Sequence, residues 1–397
     1  MWTGRHVVLG VSGGIASYKS CYLARRLTEA GARVDAVLTA GAAEFVRPAT
    51  FEALTGRPVL TSLWEPGRAL DHIRLAREPD LVIVAPATAH LLARMAQGLA
   101  DDALTALLLA RTGPVLIAPA MNDAMFAAPV TMRNLAILRE RGIAIVGPAT
   151  GALAEGPSDQ PGRMSEPETI LHHAMRVLRA GGRLDGKRVL VTAGPTRESL
   201  DPVRIITNRS SGKMGHRIAQ EAWYRGATVH LVTGPSAEPA PEGCTIERIE
   251  RTEELEAAVA AGLPEADVLI MAAAPADYAP TRRAVSKIPR SEGALSIPLE
   301  PTRDILIATR ALRKPGAIIV GFALETGAAA DRAWDKLERK GLDLIVANDA
   351  LEPGAGFEVD TNNVIIISKR DERWHSGLTT KAKVAEAILD RVEECIV

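Results

Sequence analysis

Short apolar runs that do not alternate with polar residues recur along the whole chain, each followed by a stretch with helical spacing. A strand half-exposed to water alternates, whereas a strand covered on both faces does not. Runs at 5–11, 33–39, 81–85, 115–118 and 143–146, with helix-spaced segments at 16–30 and 89–99, therefore predict an α/β, doubly wound parallel sheet. A helical segment at 168–178 leads to the break Arg179-Ala180-Gly181-Gly182-Arg183, and then the pattern restarts. Runs at 187–192, 228–232, 268–271, 317–320, 343–346 and 364–367, with a helix from Lys213 and a closing helix at 381–394, predict a second sheet of the same Rossmann-like class. A chain of 397 residues exceeds one ordinary core, so two domains are expected, 1–183 and 184–397. The irregular stretch 279–299 reads as a long functional loop.

Composition narrows the function classes. A formal net charge of -1 leaves no broad basic field for nucleic acid. The longest apolar runs, such as 103–110, are too short to span a bilayer, and the N-terminus does not resemble a secretory leader. The expected location is cytoplasmic, with neither nucleic acid nor membrane as partner. Cys21, Cys244 and Cys395 are scattered, so the spacing indicates neither a zinc site nor a disulfide framework.

Two glycine-containing turns carry chemistry. Gly10-Val11-Ser12-Gly13-Gly14-Ile15 closes one strand and opens a helix. Glycines there admit a phosphate close to the backbone, Ser12 adds a hydroxyl, and the helix N-terminus adds free N–H groups. The second predicted strand ends in Thr39 rather than an acidic residue, which disfavours NAD and suits a mononucleotide such as FMN. In the second half, Thr192-Ala193-Gly194-Pro195-Thr196 again follows a strand, joined by Asn208-Arg209-Ser210-Ser211-Gly212-Lys213-Met214-Gly215. Hydroxyls, glycines and a lysine before a helix suit a phosphate, but P-loop spacing is absent and an ordinary ATPase is not indicated.

The segments 10–19 (GVSGGIASYK), 85–89 (APATA), 98–102 (GLADD) and 119–125 (PAMNDAM) occur in this order. Together they resemble the homo-oligomeric flavin-containing cysteine decarboxylases, and within them the phosphopantothenoylcysteine decarboxylases of coenzyme A synthesis. The resemblance implies a flavodoxin-like flavoprotein fold with FMN held by Gly10, Ser12, Gly13, Thr39, Pro86, Ala87, Thr88, Ala89, Asp101 and Asp102. It implies His72 as a catalytic residue and Asn122 as the ligand of the substrate carboxylate. An imidazole that titrates near neutrality suits proton transfer, and a neutral amide orients a carboxylate without locking it. In such chemistry a thiol gives up a proton and a hydride, and the resulting thioaldehyde is the electron sink for loss of CO2. The loop 151–164 (GALAEGPSDQPGRM) matches the family's substrate-clamping flap. Where the family usually has a cysteine that serves the final reduction, this chain has Glu155. Glu155 is the expected replacement acid, on condition that burial raises its pKa. Two smaller departures are His90 after Ala89 and Phe126 after Met125, where Asn and Trp are common.

The second half resembles phosphopantothenate–cysteine ligase through Asp201-Pro202-Val203-Arg204, 208–215, 272–278 (AAAPADY), Lys287-Ile288-Pro289, Asp304-Ile305-Leu306, 321–326 (GFALET), 336–340 and Ala347-Asn348-Asp349. The resemblance implies CTP and Mg2+, activation of 4'-phosphopantothenate as an acyl-cytidylate, and attack by the amine of cysteine. It assigns Asn208 and Lys287 to catalysis and Ala272, Ala273, Asp277, Lys287, Thr302, Arg303, Asp304, Ile305, Phe322, Lys336 and Lys340 to CTP, with Asp277 facing the metal. By spacing alone, Lys336 and Lys340 suit a solvated helix face beside Glu338.

The family implies homo-oligomers, with trimeric decarboxylase and dimeric ligase contacts that together close into an assembly as large as a dodecamer. Two rival readings keep the flavin fold: an oxidative decarboxylase of peptidyl C-terminal cysteine, and a non-catalytic FMN-binding regulatory subunit.

Overall fold

A computed structural model of the chain describes residues 1–396 apart from 180, 291–294, 326–328, 350–353, 355, 357 and 358. It divides into two compact units, Met1–Arg179 and Ala180–Val397.

The first unit alternates strand and helix. Its order is β1 (His6–Val11), α1 (Ser17–Glu29), β2 (Arg33–Leu38), α2 (Ala40–Phe45), α3 (Pro48–Thr55), α4 (Asp71–Arg77), β3 (Leu81–Ala87), α5 (Ala89–Gln97), α6 (Ala103–Ala110), β4 (Val115–Pro119), α7 (Asp123–Ala127), α8 (Pro129–Glu140), β5 (Ala144–Ile145) and α9 (Pro167–Arg179). All five strands run parallel in the order β2-β1-β3-β4-β5, the flavodoxin-like arrangement. Every residue of β1, β3 and β4 is buried, which is why these runs do not alternate. Leu9 and Ile83 are 0 % exposed, and truncating such a side chain to Ala costs about 2–5 kcal/mol. The strand order reverses between β1 and β3, so their carboxyl ends diverge and leave a crevice above the sheet.

The second unit is built on an eight-stranded sheet. Its order is Thr245–Arg248, Thr228–Thr233, Arg188–Ala193, Val268–Met271, Ile318–Glu325, Leu344–Asp349, Val364–Ser368, Arg373–His375. The first six are parallel, and five of them fall on the runs that the sequence pattern predicts. The last two are antiparallel, so the sheet is mixed at one edge. The outer strands Thr245–Arg248 and Arg373–His375 escape the pattern because they are short, charged and largely exposed, as edge strands are. Helix Lys213–Tyr224 packs through Gly215, where a Cβ would lie 2.5 Å from the Ala193 side chain and 2.8 Å from the Thr192 carbonyl oxygen. The expected loop 279–299 hangs from a ladder of three residue pairs between Tyr278–Pro280 and Leu299–Pro301, and its residues 291–294 lie outside the described set. Thr326, the last residue of the 321–326 motif, also lies outside it. Among the described residues no helix is long and apolar enough to cross a membrane.

Candidate functional sites

A cavity of about 890 Å³ opens above the carboxyl ends of β1 and β3 in the first unit. Its walls come from the strand-to-helix turns, and their polar residues are already oriented by backbone. Thr39, Thr88 and Asp102 each accept a hydrogen bond from the first turn of the following helix, from Ala42, Leu91 and Thr105 N–H respectively. Ser12 Oγ donates to the Pro86 carbonyl at 2.8 Å and accepts from Thr88 N–H at 3.0 Å, tying the tips of β1 and β3 together. Gly13 meets Gly41 across the floor: a Cβ at Gly13 would stand 2.6 Å from the Gly41 carbonyl carbon.

Of the residues assigned to FMN, Ser12, Gly13, Thr39, Thr88, Ala89 and Asp102 line this cavity. Gly10 does not: it sits within β1, where a Cβ would lie 2.6 Å from Leu104 Cδ1, so its smallness serves the core. Pro86 and Ala87 are buried in β3 behind the wall, Pro86 contributing its carbonyl to Ser12. Asp101 is exposed and binds the Arg94 guanidinium, which also holds Asp102 Oδ2 at 2.7 Å. Burial pushes the Asp102 carboxyl up, but the Thr105 N–H and Arg94 outweigh it and the pKa is lowered.

Asn122 caps α7. Its Oδ1 accepts from Ala124 N–H at 2.9 Å and Met125 N–H at 3.3 Å, and its Nδ2 donates to the Glu155 carboxylate. Glu155 stands at the tip of the flap, in a turn closed by paired bonds between Leu153 and Gly156. Both residues line the cavity, but Glu155 is exposed, so the burial that the replacement-acid expectation requires is lacking in this chain alone. The flap also touches the 121–123 turn, since Ser158 Oγ donates to Asp123 Oδ2 at 2.6 Å and thereby lowers the Asp123 pKa. His72 lies in α4, outside the cavity lining, with its Nδ1 buried and unpartnered among the described residues. Lys19, Arg94 and Arg163 also line the cavity and were not singled out from sequence. Lys19 and Arg94 fall in helix-spaced runs, where a charge reads as solvated, and Arg163 falls in the flap, where nothing in the local pattern signals a site.

In the second unit the predicted turns converge at the carboxyl end of Arg188–Ala193. Thr192 Oγ1 accepts from Ala273 N–H at 3.1 Å, Gly194 O from Ala274 N–H at 2.9 Å, and Thr196 Oγ1 from Ala276 N–H at 2.8 Å. Asn208 Nδ2 donates to Pro275 O at 2.8 Å, which brings Asn208 to the turn containing Ala272 and Ala273. The Asp277 carbonyl accepts from Thr302 N–H at 2.9 Å, leaving the Asp277 side chain exposed. Asp304 caps Ile305–Ala308 and pairs with Lys340 at 3.0 Å, so two residues assigned to the nucleotide are joined. Arg303 turns outward to Glu256 at 3.3 Å. Phe322 is half-buried on Ile318–Glu325, and Lys336 lies on the same helix as Lys340, Ala329–Lys340.

Lys287 is exposed, and its backbone neighbour is fixed. Asp201, 1 % exposed, accepts from the N–H groups of Val203 and Arg204, both at 2.8 Å, and of Ile288 at 3.1 Å. Burial pushes its carboxyl up, yet these bonds and the Arg204 charge bring it down to about 2. Among the described residues no group of three or more His, Cys, Asp or Glu side chains is gathered as a metal site.

The family described as Flavoprotein matches residues 1–179, and that described as DNA/pantothenate metabolism flavoprotein C-terminal domain matches 184–396. The chain is 44% identical over 396 residues to the coenzyme A biosynthesis bifunctional protein CoaBC of Vibrio cholerae, covering 98% of each chain. It is 44% identical over 403 residues to the protein of that description from Mycobacterium tuberculosis, covering 98% of this chain and 96% of the other. Among solved structures, the C-terminal domain of a CoaBC protein aligns with 39% identity and a TM-score of 0.46, over 54% of this chain and 97% of that one.

Proposed function

The chain belongs to the family of bifunctional coenzyme A biosynthesis proteins, and from that premise we propose how its residues divide the work. It is a phosphopantothenoylcysteine decarboxylase and a phosphopantothenate–cysteine ligase. We assign the first activity to 1–183 and the second to 184–397. This division is supported by the compact units, which part at 179/180, and by the matched family regions, which end at 179 and begin at 184.

The observation that carries the decarboxylase assignment is the meeting of Ser12, Thr39, Thr88 and Asn122 around one cavity. The cavity suits FMN: it is roomy, its polar groups are fixed by backbone bonds, and the Gly13–Gly41 approach leaves no side chain on its floor. FMN bound there supplies a two-electron acceptor for the substrate thiol. The chain's residues then bind and orient. The Asn122 amide donates to the substrate carboxylate in place of Glu155. The flap 151–164 excludes water, and Glu155, once bound substrate or a second copy covers the exposed flap tip, delivers the proton that a cysteine delivers elsewhere. His72 moves the thiol proton. It lies outside the cavity of its own chain, so we place its action at a contact between copies in the trimeric decarboxylase core of a homo-oligomer.

In the ligase, CTP lies along Ala272–Ala273, Thr302–Ile305, Phe322, Lys336 and Lys340. Asn208 stabilises the acyl-cytidylate, and Lys287 offsets charge that develops on the phosphates. Asp277 would hold Mg2+, which would supply positive charge against the triphosphate. Ligation precedes decarboxylation, because the ligase product is the decarboxylase substrate.

Incubation with 4'-phosphopantothenate, cysteine, CTP and Mg2+ tests the scheme. The expected result is pyrophosphate release followed by CO2 and 4'-phosphopantetheine from a protein with flavin absorbance. Turnover with ATP but not CTP would overturn the nucleotide assignment, and a colourless protein would overturn the FMN assignment. Glu155 in the flap favours one rival reading, release of the oxidised ene-thiol. Mass spectrometry separates the two products by two hydrogens.

A further inference from the structure

We propose that Lys19 is a positioning residue for decarboxylation, holding the root of the flap to the helix that cradles the cavity. Lys19 lies in the first turn of α1, and its side chain is only 6 % exposed. A buried ammonium is costly unless acceptors surround it. Its Nζ donates to the Met164 carbonyl at 3.0 Å and to Glu166 Oε1 at 2.9 Å. Both acceptors stand where the flap ends. Met164 is itself 1 % exposed, so its carbonyl is fixed by packing and a shift would cost Lys19 one of its two acceptors. Glu166 accepts a second cation on the same oxygen, from Arg163 at 2.7 Å, and the Lys19 bond holds the Glu166 pKa below its ordinary value.

The other side of the root is closed by backbone. Ala149 N–H donates to Arg163 O at 2.7 Å, and Arg163 N–H to Ala149 O at 3.1 Å. The flap therefore has a fixed base and a tip, Leu153–Gly156, that carries Glu155 to Asn122. Lys19, Met164, Glu155 and Asn122 all line one cavity. Through the base, Lys19 sets where Glu155 falls. This inference rests on the reading that the flap covers the decarboxylase substrate.

The test uses full-length Lys19→Met, Glu166→Leu and the double variant. Four readouts are taken: decarboxylation of 4'-phosphopantothenoylcysteine, flavin absorbance, ligase rate, and protease cleavage within 151–163. Lys19→Met is expected to lower decarboxylase kcat about tenfold or more, since small misplacements of reacting groups are costly. Flap cleavage accelerates, while flavin absorbance and ligase rate are retained. The double variant is no worse than Lys19→Met, because the two residues share one interaction. A Lys19→Met enzyme within about twofold of wild type in kcat and flap cleavage overturns the inference, as do additive effects in the double variant. Loss of flavin in step with activity also overturns it, by moving Lys19 to the cofactor cradle. Should Lys19→Met not fold, Glu166→Leu decides on its own: it removes the side-chain acceptor of Lys19 at a position 52 % exposed, and unchanged kcat and flap cleavage there overturn the inference. Absence of CO2 release from wild type would instead sink the functional reading beneath it.

Discussion

The side-chain amide of Asn122 donates to the carboxylate of Glu155, so one flap residue sits on the group assigned to the substrate carboxylate. The site as it stands thus already binds a carboxylate, supplied by its own chain. A substrate must displace Glu155, and the displaced acid then lies beside the substrate.

Glu155→Gln is therefore expected to separate two steps. The carbonyl of Gln can still accept the Asn122 bond, so the flap tip keeps its place, but the amide cannot donate the final proton as an acid. CO2 release continues, while the fully reduced product falls at least tenfold relative to the ene-thiol, an order typical of losing a general acid. Mass spectrometry of single-turnover products checks this. Reduced product at the wild-type rate would remove Glu155 from the role.

Asn208→Ala and Lys287→Gln should each lower pyrophosphate release by about a hundredfold or more, the usual scale for losing a transition-state donor. Decarboxylation of added 4'-phosphopantothenoylcysteine by the same samples stays unchanged. A parallel fall in both activities would mean that the substitutions act through folding.

Gly13→Ala places a Cβ 2.6 Å from the Gly41 carbonyl carbon and 2.8 Å from its Cα, where only backbone stands. The two turns must separate, at a cost of about 1–3 kcal/mol. The expected outcome is a pale protein whose ligase is intact. Normal flavin absorbance after purification would show that the floor tolerates the shift.

Acid should weaken both units. In the first, burial raises the Asp35 pKa, but His6 Nε2 at 2.6 Å and Arg57 Nε at 2.8 Å outweigh it and bring it down to about 2. In the second, Asp201 is brought to about 2 by the bonds described above. A carboxyl depressed in the folded state contributes stability that is fully present above its unfolded pKa, near 4, and lost as pH falls through about 2. For Asp35 this contribution is about 2 kcal/mol at neutral pH. Denaturant unfolding followed between pH 5 and pH 2, windows set by these values, should show a steep acid limb that Asp35→Asn flattens. An unchanged limb in that variant would show that other carboxylates govern it.

Much of this was legible in the sequence, for a physical reason. Runs such as Val7–Leu9 and Leu81–Val84 are apolar at every position because both faces of the sheet are covered. Thr39, Thr88 and Asn122 stand at junctions where a cap is also a cavity wall, and Ser12 stands in the strand-to-helix turn beside them, so local pattern and cavity coincide. Lys19 and Arg94 were not legible, because each sits in a helix-spaced run while its partners lie outside that run, at 164–166 for Lys19 and at Asp101 and Asp102 for Arg94. Gly10 stood in a motif for one reason and is used for another, the approach of Leu104. His72 was legible as a residue type, but its place in α4 depends on tertiary packing that no local period encodes.

The bonds from Ser12 to Pro86 and Thr88 have one more consequence. They lock the two strand tips across the crevice with protein atoms alone, and the caps at Thr39 and Thr88 do the same for the helices beyond. Little chain entropy then remains to be lost when the cavity fills. The flavin should be removable by mild denaturant and restored by simple mixing, with nearly linear uptake and no slow refolding phase. Its retention becomes a matter of affinity and not of assembly.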